Sequence, residues 1–297
     1  MGSHSLCRLP AAGATGLAVL ALASPALARA THATTRKMPE IGRLLGPDRV
    51  AGHHPVSGRP SAVSCPTNAC STNWSGYAVT GSNGSYTSVS TSWTQPKITG
   101  CTSSDPTSLT SSSPYAAFWD GLDGYNSSSV EQTGTIGYCS GSTAEYYAWY
   151  EMYPAGSVVY NKPVAPGDEM TATVTYAPVS TTGHGRKRSS AYLYTLTLTD
   201  SGPTNHWTES TPITTTTAYA RSSAECITEA PYYQNVLPLA DFGTINYGSC
   251  EANGSPLSPS SSGLQQITMI NGTTGATESS TGPLGASGAF TNTWASL

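Results

Sequence analysis

Charge is scarce in this chain: only 10% of its 297 residues are Asp, Glu, Lys or Arg. Ser, Thr, Gly, Tyr and Asn carry the polarity instead. Carboxylates lose their charge as pH falls, whereas hydroxyls and amides do not, so such a surface tolerates acid. The charges present are unevenly placed. Residues 1–70 carry a net +5 and residues 71–297 a net −9, together the −4 of the whole chain. So acidic a body excludes nucleic acid as a partner. Histidine is nearly absent downstream of residue 70, where only His184 and His206 occur. His184 sits in a basic run that reads as an exposed loop, His206 follows a turn, and no G-x-S-x-G elbow exists. A Ser-His-Asp triad is therefore excluded. H-E-x-x-H is absent as well, which removes the helical zinc-protease site. The chemistry that remains calls for neither metal nor cofactor.

Long apolar runs are missing from all but the N-terminus. Residues 16–23 are apolar, Pro25 follows, and Ala26-Leu27-Ala28 offers small residues where a signal peptidase reads. The run is well short of the ~20 residues a spanning helix needs. Residues 1–28 are thus expected to be an export signal, and the mature protein a secreted, extracellular monomer with no membrane segment. Residues 29–68 are rich in Arg and Pro, hold His53 and His54, and show no sustained periodicity. They read as a propeptide whose positive charge complements the acidic body and whose release in acid uncovers a cleft. The domain proper is then 69–297. Of seven cysteines, Cys7 leaves with the signal. The remaining Cys65, Cys70, Cys101, Cys139, Cys226 and Cys250 suit an oxidising compartment, and their pairing is open among fifteen possibilities.

From Asn73 onward the pattern is that of strands. Residues 85–93, 170–176 and 192–199 alternate at period two, with Asp200-Ser201-Gly202-Pro203 as a turn signal. No segment carries a helical stripe. The fold class expected is all-β, an antiparallel β-sandwich of two sheets. Asp200-Ser201-Gly202 also looks like half of a paired-aspartate site, but the chain has no second copy of it, so it reads as a turn. Carboxylates and amides in aromatic-rich strand contexts are left as candidates: Asp120, Asp123, Glu131, Gln132, Glu145, Glu151, Glu225 and Glu229.

Four segments in order bring these residues together. They are Asn73-Trp74-Ser75-Gly76; Trp119-Asp120-Gly121-Leu122-Asp123-Gly124 running into Glu131-Gln132-Thr133-Gly134; Ala148-Trp149-Tyr150-Glu151-Met152-Tyr153-Pro154; and Ala224-Glu225-Cys226-Ile227-Thr228-Glu229. Trp93 to Pro96 adds a further match. The ordered set resembles the glutamic peptidases, or eqolisins, over roughly residues 71–297. That resemblance implies a lectin-like (concanavalin-like) sandwich with its site in a groove on the concave face, polypeptide substrates, and a propeptide that inhibits. It also implies a catalytic pair, Gln132 from the Gln-Thr-Gly triplet and Glu229 from the end of the Ala-Glu-x-x-x-Glu segment.

The chemistry suits those residue types. Glu229 as a carboxylate takes a proton from water and returns it to the leaving amine. Gln132 supplies an uncharged N–H donor to the oxyanion, and an amide keeps that role in acid because it does not titrate. Trp74, Trp119, Asp123, Trp149 and Glu151 are expected to line or support the groove, Glu151 by tuning Glu229 or as a buried carboxylate bonded to hydroxyls. Two departures from the family pattern stand out. Asp120 occupies a position that is commonly apolar, which would alter the polarity of the cleft, and Tyr147 one that can be acidic. The alternatives are a glycoside hydrolase using Glu151 with Glu229, and a carbohydrate-binding module stacking sugars on its Tyr and Trp rings.

Overall fold

A computed structural model describes residues 65–107, 112–179, 190–233 and 235–295. The expected signal peptide, nearly all of the expected propeptide, and the His184 loop lie outside these residues. The strands, in chain order, are β1 (Ala69–Ser71), β2 (Trp74–Thr80), β3 (Ser88–Thr94), β4 (Tyr115–Leu122), β5 (Val130–Ser140), β6 (Thr143–Tyr153), β7 (Val158–Tyr160), β8 (Glu169–Val179) and β9 (Ala191–Asp200). They continue as β10 (Trp207–Thr215), β11 (Ser223–Glu229), β12 (Tyr232–Tyr233), β13 (Asn235–Val236), β14 (Thr244–Ala252), β15 (Ser255–Pro256), β16 (Leu264–Ile270), β17 (Thr277–Thr281) and β18 (Phe290–Trp294). The predicted alternating runs at 170–176 and 192–199 fall inside β8 and β9. The run at 85–93 starts later than predicted, at Ser88. Residues 82–85 form a turn, with Ser85 N–H donating to the Ser82 carbonyl.

One hydrogen-bonded path, β10-β9-β8-β3-β14-β18-β17-β16-β2-β11-β4-β5-β6-β7, folds over into two layers. Its pairings are antiparallel throughout; the short β1 adds to β16 in parallel. Between the layers lies the main core, including Tyr77, Trp93, Phe118, Leu122, Met170, Leu196, Leu198 and Phe242, all of them buried. Strand alternation sends the next residues of β2, β4, β5, β6 and β11 to the opposite face. There a second apolar cluster forms from Trp74, Trp119, Ile136, Trp149, Ile227 and Leu237. Of these, β2, β4, β5 and β11 are buried on both faces, which is why they lack a simple polar/apolar alternation.

Three disulfides settle the cysteine pairing: Cys65–Cys70, Cys101–Cys139 and Cys226–Cys250. The third ties β11 of one layer to β14 of the other. The first, Cys65–Cys70, spans the junction between residues 68 and 69 where the propeptide was expected to end. Asn68 is also bonded to β16, donating to the Leu264 carbonyl and accepting from Gln266 N–H.

Candidate active site

Register places Glu225, Gln132, Glu151 and Glu229 on one face together with Trp74, Trp119 and Trp149. Across β11, β4, β5 and β6 one row reads Glu225, Gly121, Gln132, Glu151 and the next Ile227, Trp119, Gly134, Trp149. The third row runs from Trp74 of β2 through Glu229, Ala117 and Ile136 to Tyr147. Gly134 is the open position of the middle row. A Cβ there would run into the Phe118 carbonyl and come within 2.6 Å of Trp119 Cβ, so glycine is what lets β5 lie close against β4 at Trp119.

Glu229 is 5% exposed and held by N–H donors. Trp119 Nε1 donates to its Oε2 at 2.9 Å and Asn73 Nδ2 to its Oε1 at 3.3 Å. Asn73 is itself fixed, because Ser71 Oγ donates to its Oδ1 at 2.9 Å and its carbonyl accepts from Ala230 N–H. Trp74 packs edge-on against Trp119 with ring centroids 5.0 Å apart. Burial dominates the electrostatics and pushes the Glu229 carboxyl up to about 8, while the Trp74, Trp119 and Asn73 donors pull the other way. The donors suit a carboxylate, but dryness prevails, so in acid the group is neutral.

Gln132 is 1% and Glu151 3% exposed. Gln132 Nε2 donates to Glu151 Oε2 at 2.6 Å. Burial raises the Glu151 carboxyl well above the carboxylate range; the Gln132 bond opposes this and the Glu229 charge adds to it. The partner of Glu151 is thus an amide rather than the hydroxyls considered from sequence. One Nε2–H of Gln132 is taken by Glu151, which restrains the amide. Trp149 is buried beside them. Glu145 lies at the end of this face, accepting from the Tyr138 and Tyr147 hydroxyls at 2.7 and 3.1 Å.

Asp123 is buried just past the end of β4. Its φ of 69° turns the chain out of β4. Its carboxylate accepts from Arg221 N–H at 2.6 Å and Ser222 N–H at 2.9 Å, tying the β4–β5 turn to the start of β11. Asp120 corrects the sequence reading. It alternates with Trp119 and Gly121, so it points between the layers rather than onto the face of Gln132 and Glu229, and its burial holds its carboxyl well above the usual range. An apolar residue suits that position because the surroundings are core. Asp200 differs too. It ends β9 as a turn residue, yet it faces a second buried carboxyl, Asp168; burial and that neighbour raise its affinity for a proton. Sequence reading assigned no role to Asn73 or Ser71. The position of Asn73 at the head of the Asn-Trp-Ser-Gly segment was the available signal.

Residues 72–287 match the family described as the Peptidase A4 family. The chain belongs to the peptidase A4 family. It is therefore related to glutamic peptidases in sequence as well as in fold. Among solved structures, scytalido-glutamic peptidase bound to a transition-state analogue inhibitor superposes with a TM-score of 0.55 at 21% identity, covering 75% of this chain and 98% of that one. SCP-B, a member of the eqolisin family of peptidases in complex with the tripeptide Ala-Ile-His, gives 0.52 at 19% identity over 75% and 98%. At such identities these two speak for the sandwich fold alone. No curated protein sequence matches significantly.

Proposed function

We propose that this peptidase A4 chain is a secreted acid endopeptidase in which Glu229 and Gln132 carry the reaction. The observation that supports it most is the dry pocket around Glu229, where Trp119 and Asn73 fix both carboxyl oxygens.

Below about 8 the carboxyl is neutral and offers one acceptor oxygen and one O–H. A water attacking the scissile carbonyl carbon gives its proton to the acceptor oxygen, while the O–H proton passes to the carbonyl oxygen. Gln132 Nε2–H donates to that oxygen as charge develops on it. The tetrahedral diol then collapses. Glu229 protonates the amine nitrogen, takes back a hydroxyl proton, and ends as it began. Charge stays small throughout, as a buried site requires. The residue type alone leaves the starting protonation state open, and the burial of Glu229 favours a neutral start. Activity that needs neutral Glu229 is present in acid and falls as pH rises through about 8.

Polypeptides are the substrates in this reading, and the part of residues 29–68 that lies upstream of Cys65 acts as the inhibitory propeptide. Covalent attachment of Cys65 to Cys70 supports a maturation cut upstream of Cys65. The test is to acidify the full chain and offer it an unfolded protein and, separately, a polysaccharide. New protein N-termini without new reducing ends are expected. New reducing ends alone would replace this reading with a glycoside hydrolase.

A further inference from the structure

Glu131 and Glu225 take no part in the mechanism, yet both are fully buried, and none of their four carboxyl oxygens has a well-formed hydrogen bond. They sit beside the β4–β5 turn. Glu131 immediately precedes Gln132 and points to the opposite face of β5. Glu225 lies across Gly121 from Gln132. Between them is Asp123, whose bonds to Arg221 and Ser222 join residues 123–130 to the start of β11.

We propose that protonated Glu131 and Glu225, packed beside Asp123, form a latch that keeps residues 123–130, and with them Gln132, in place in acid and releases them as pH rises. The groups facing the pair make this so. Glu131 faces Asp123, Arg221, Tyr194 and Tyr219. Glu225 faces Asp123, Glu131, Asp120 and Tyr86. Arg221 is the single cation among these groups, and it is engaged elsewhere: its guanidinium lies 3.8 Å above the Tyr176 ring and donates to the Tyr86 carbonyl. Ionising both glutamates would add two buried charges of the same sign beside Asp123 with nothing to pair them. Burial raises both carboxyls well above the usual range and Asp123 adds to it, while Ser129 and the Arg221 charge oppose it at Glu131 and Ser223 opposes it at Glu225.

The sign follows. A carboxyl whose folded affinity for the proton is raised adds stability that is complete below its unfolded value, and that stability is lost as pH rises toward the folded one. The cheapest escape is local. Water reaches Glu131 and Glu225 if residues 123–130 lift, and the strand that then loses its start is the one carrying Gln132.

The link to catalysis rests on the proposed role of Gln132, so the test reads structure first. Hydrogen exchange of the full chain, corrected for intrinsic rates, is followed by mass spectrometry from about pH 4 to 7.5, alongside peptidase activity. Protection in 121–132 and 219–226 should fall roughly tenfold or more before the rest of the described residues respond. In a Glu131→Gln/Glu225→Gln chain, which mimics the neutral acids, that loss should move up by about one pH unit or more, with activity at acid pH retained. Wild-type protection that is lost first elsewhere, or an unmoved loss in the double variant, overturns the latch. If the double variant does not fold, the order of loss in the wild type decides alone. A latch that behaves as stated in a chain without peptidase activity would refute the proposed function and leave the latch standing.

Discussion

Replacing Gln132 by Ala separates positioning from chemistry. The side chain is buried and makes one strong contact, the 2.6 Å bond to Glu151. Removing it leaves a buried carboxyl without its donor, a cost of about 1–3 kcal/mol in stability. In the proposed reaction it also deletes the N–H that meets the developing oxyanion, and loss of one such donor costs about 2.7–4 kcal/mol of barrier, or ~10²–10³ in kcat. Glu151 does not ionise in consequence. The Gln132 bond is one of the influences holding its proton affinity down, so its removal moves the carboxyl further up. In acid the variant therefore differs from wild type only in the missing donor. Initial rates on a fluorogenic peptide, with circular dichroism at the same pH to establish folding, should give the full fall in kcat and little change in KM. A folded Gln132→Ala protein that keeps more than roughly a tenth of kcat would refute the oxyanion role.

Other perturbations follow from the same geometry. Trp119→Phe removes a 2.9 Å donor to Glu229 and should raise that carboxyl above about 8. A hydrogen bond to a charged group of ~1.5–3 kcal/mol corresponds to roughly 1–2 pH units. Carboxyl-carbon NMR of Glu229 checks this, and a downward shift contradicts it. Gly134→Ala forces a methyl against the Phe118 carbonyl and Trp119, and thermal unfolding should show a loss of about 1–3 kcal/mol or more, with activity falling as Trp119 moves. Replacing Cys226 and Cys250 by Ser opens a link of sequence separation 24 between the layers and should cost ~3 kcal/mol in denaturant unfolding.

Much of this was legible in the sequence because it depends on pattern. Period-two runs at 170–176 and 192–199 became β8 and β9, and the ordered segments fell into adjacent rows on β2, β11, β4, β5 and β6. What pattern could not supply was depth. Asp120 and Trp119 are neighbours in sequence and lie on opposite faces, one between the layers and one against Glu229. Asp200 showed no partner until β8 and β9 paired and brought Asp168 against it. The neutral state of Glu229 is likewise a property of burial, to which Trp74 and Trp119 contribute from segments far away in the chain. Asn73 was visible as a motif residue, but its donation to Glu229 depends on Ser71 turning its amide.

The central claim is that one buried carboxyl, Glu229, carries the protons. The most direct test is the pH–rate profile of acid-activated wild-type and Glu229→Gln proteins on one peptide substrate. Peptidase activity in acid that declines no later than about 8 in the wild type, and its abolition across the whole range in a folded Glu229→Gln protein, is the predicted result. A folded Glu229→Gln protein that cleaves the peptide at a rate comparable to wild type would contradict the account.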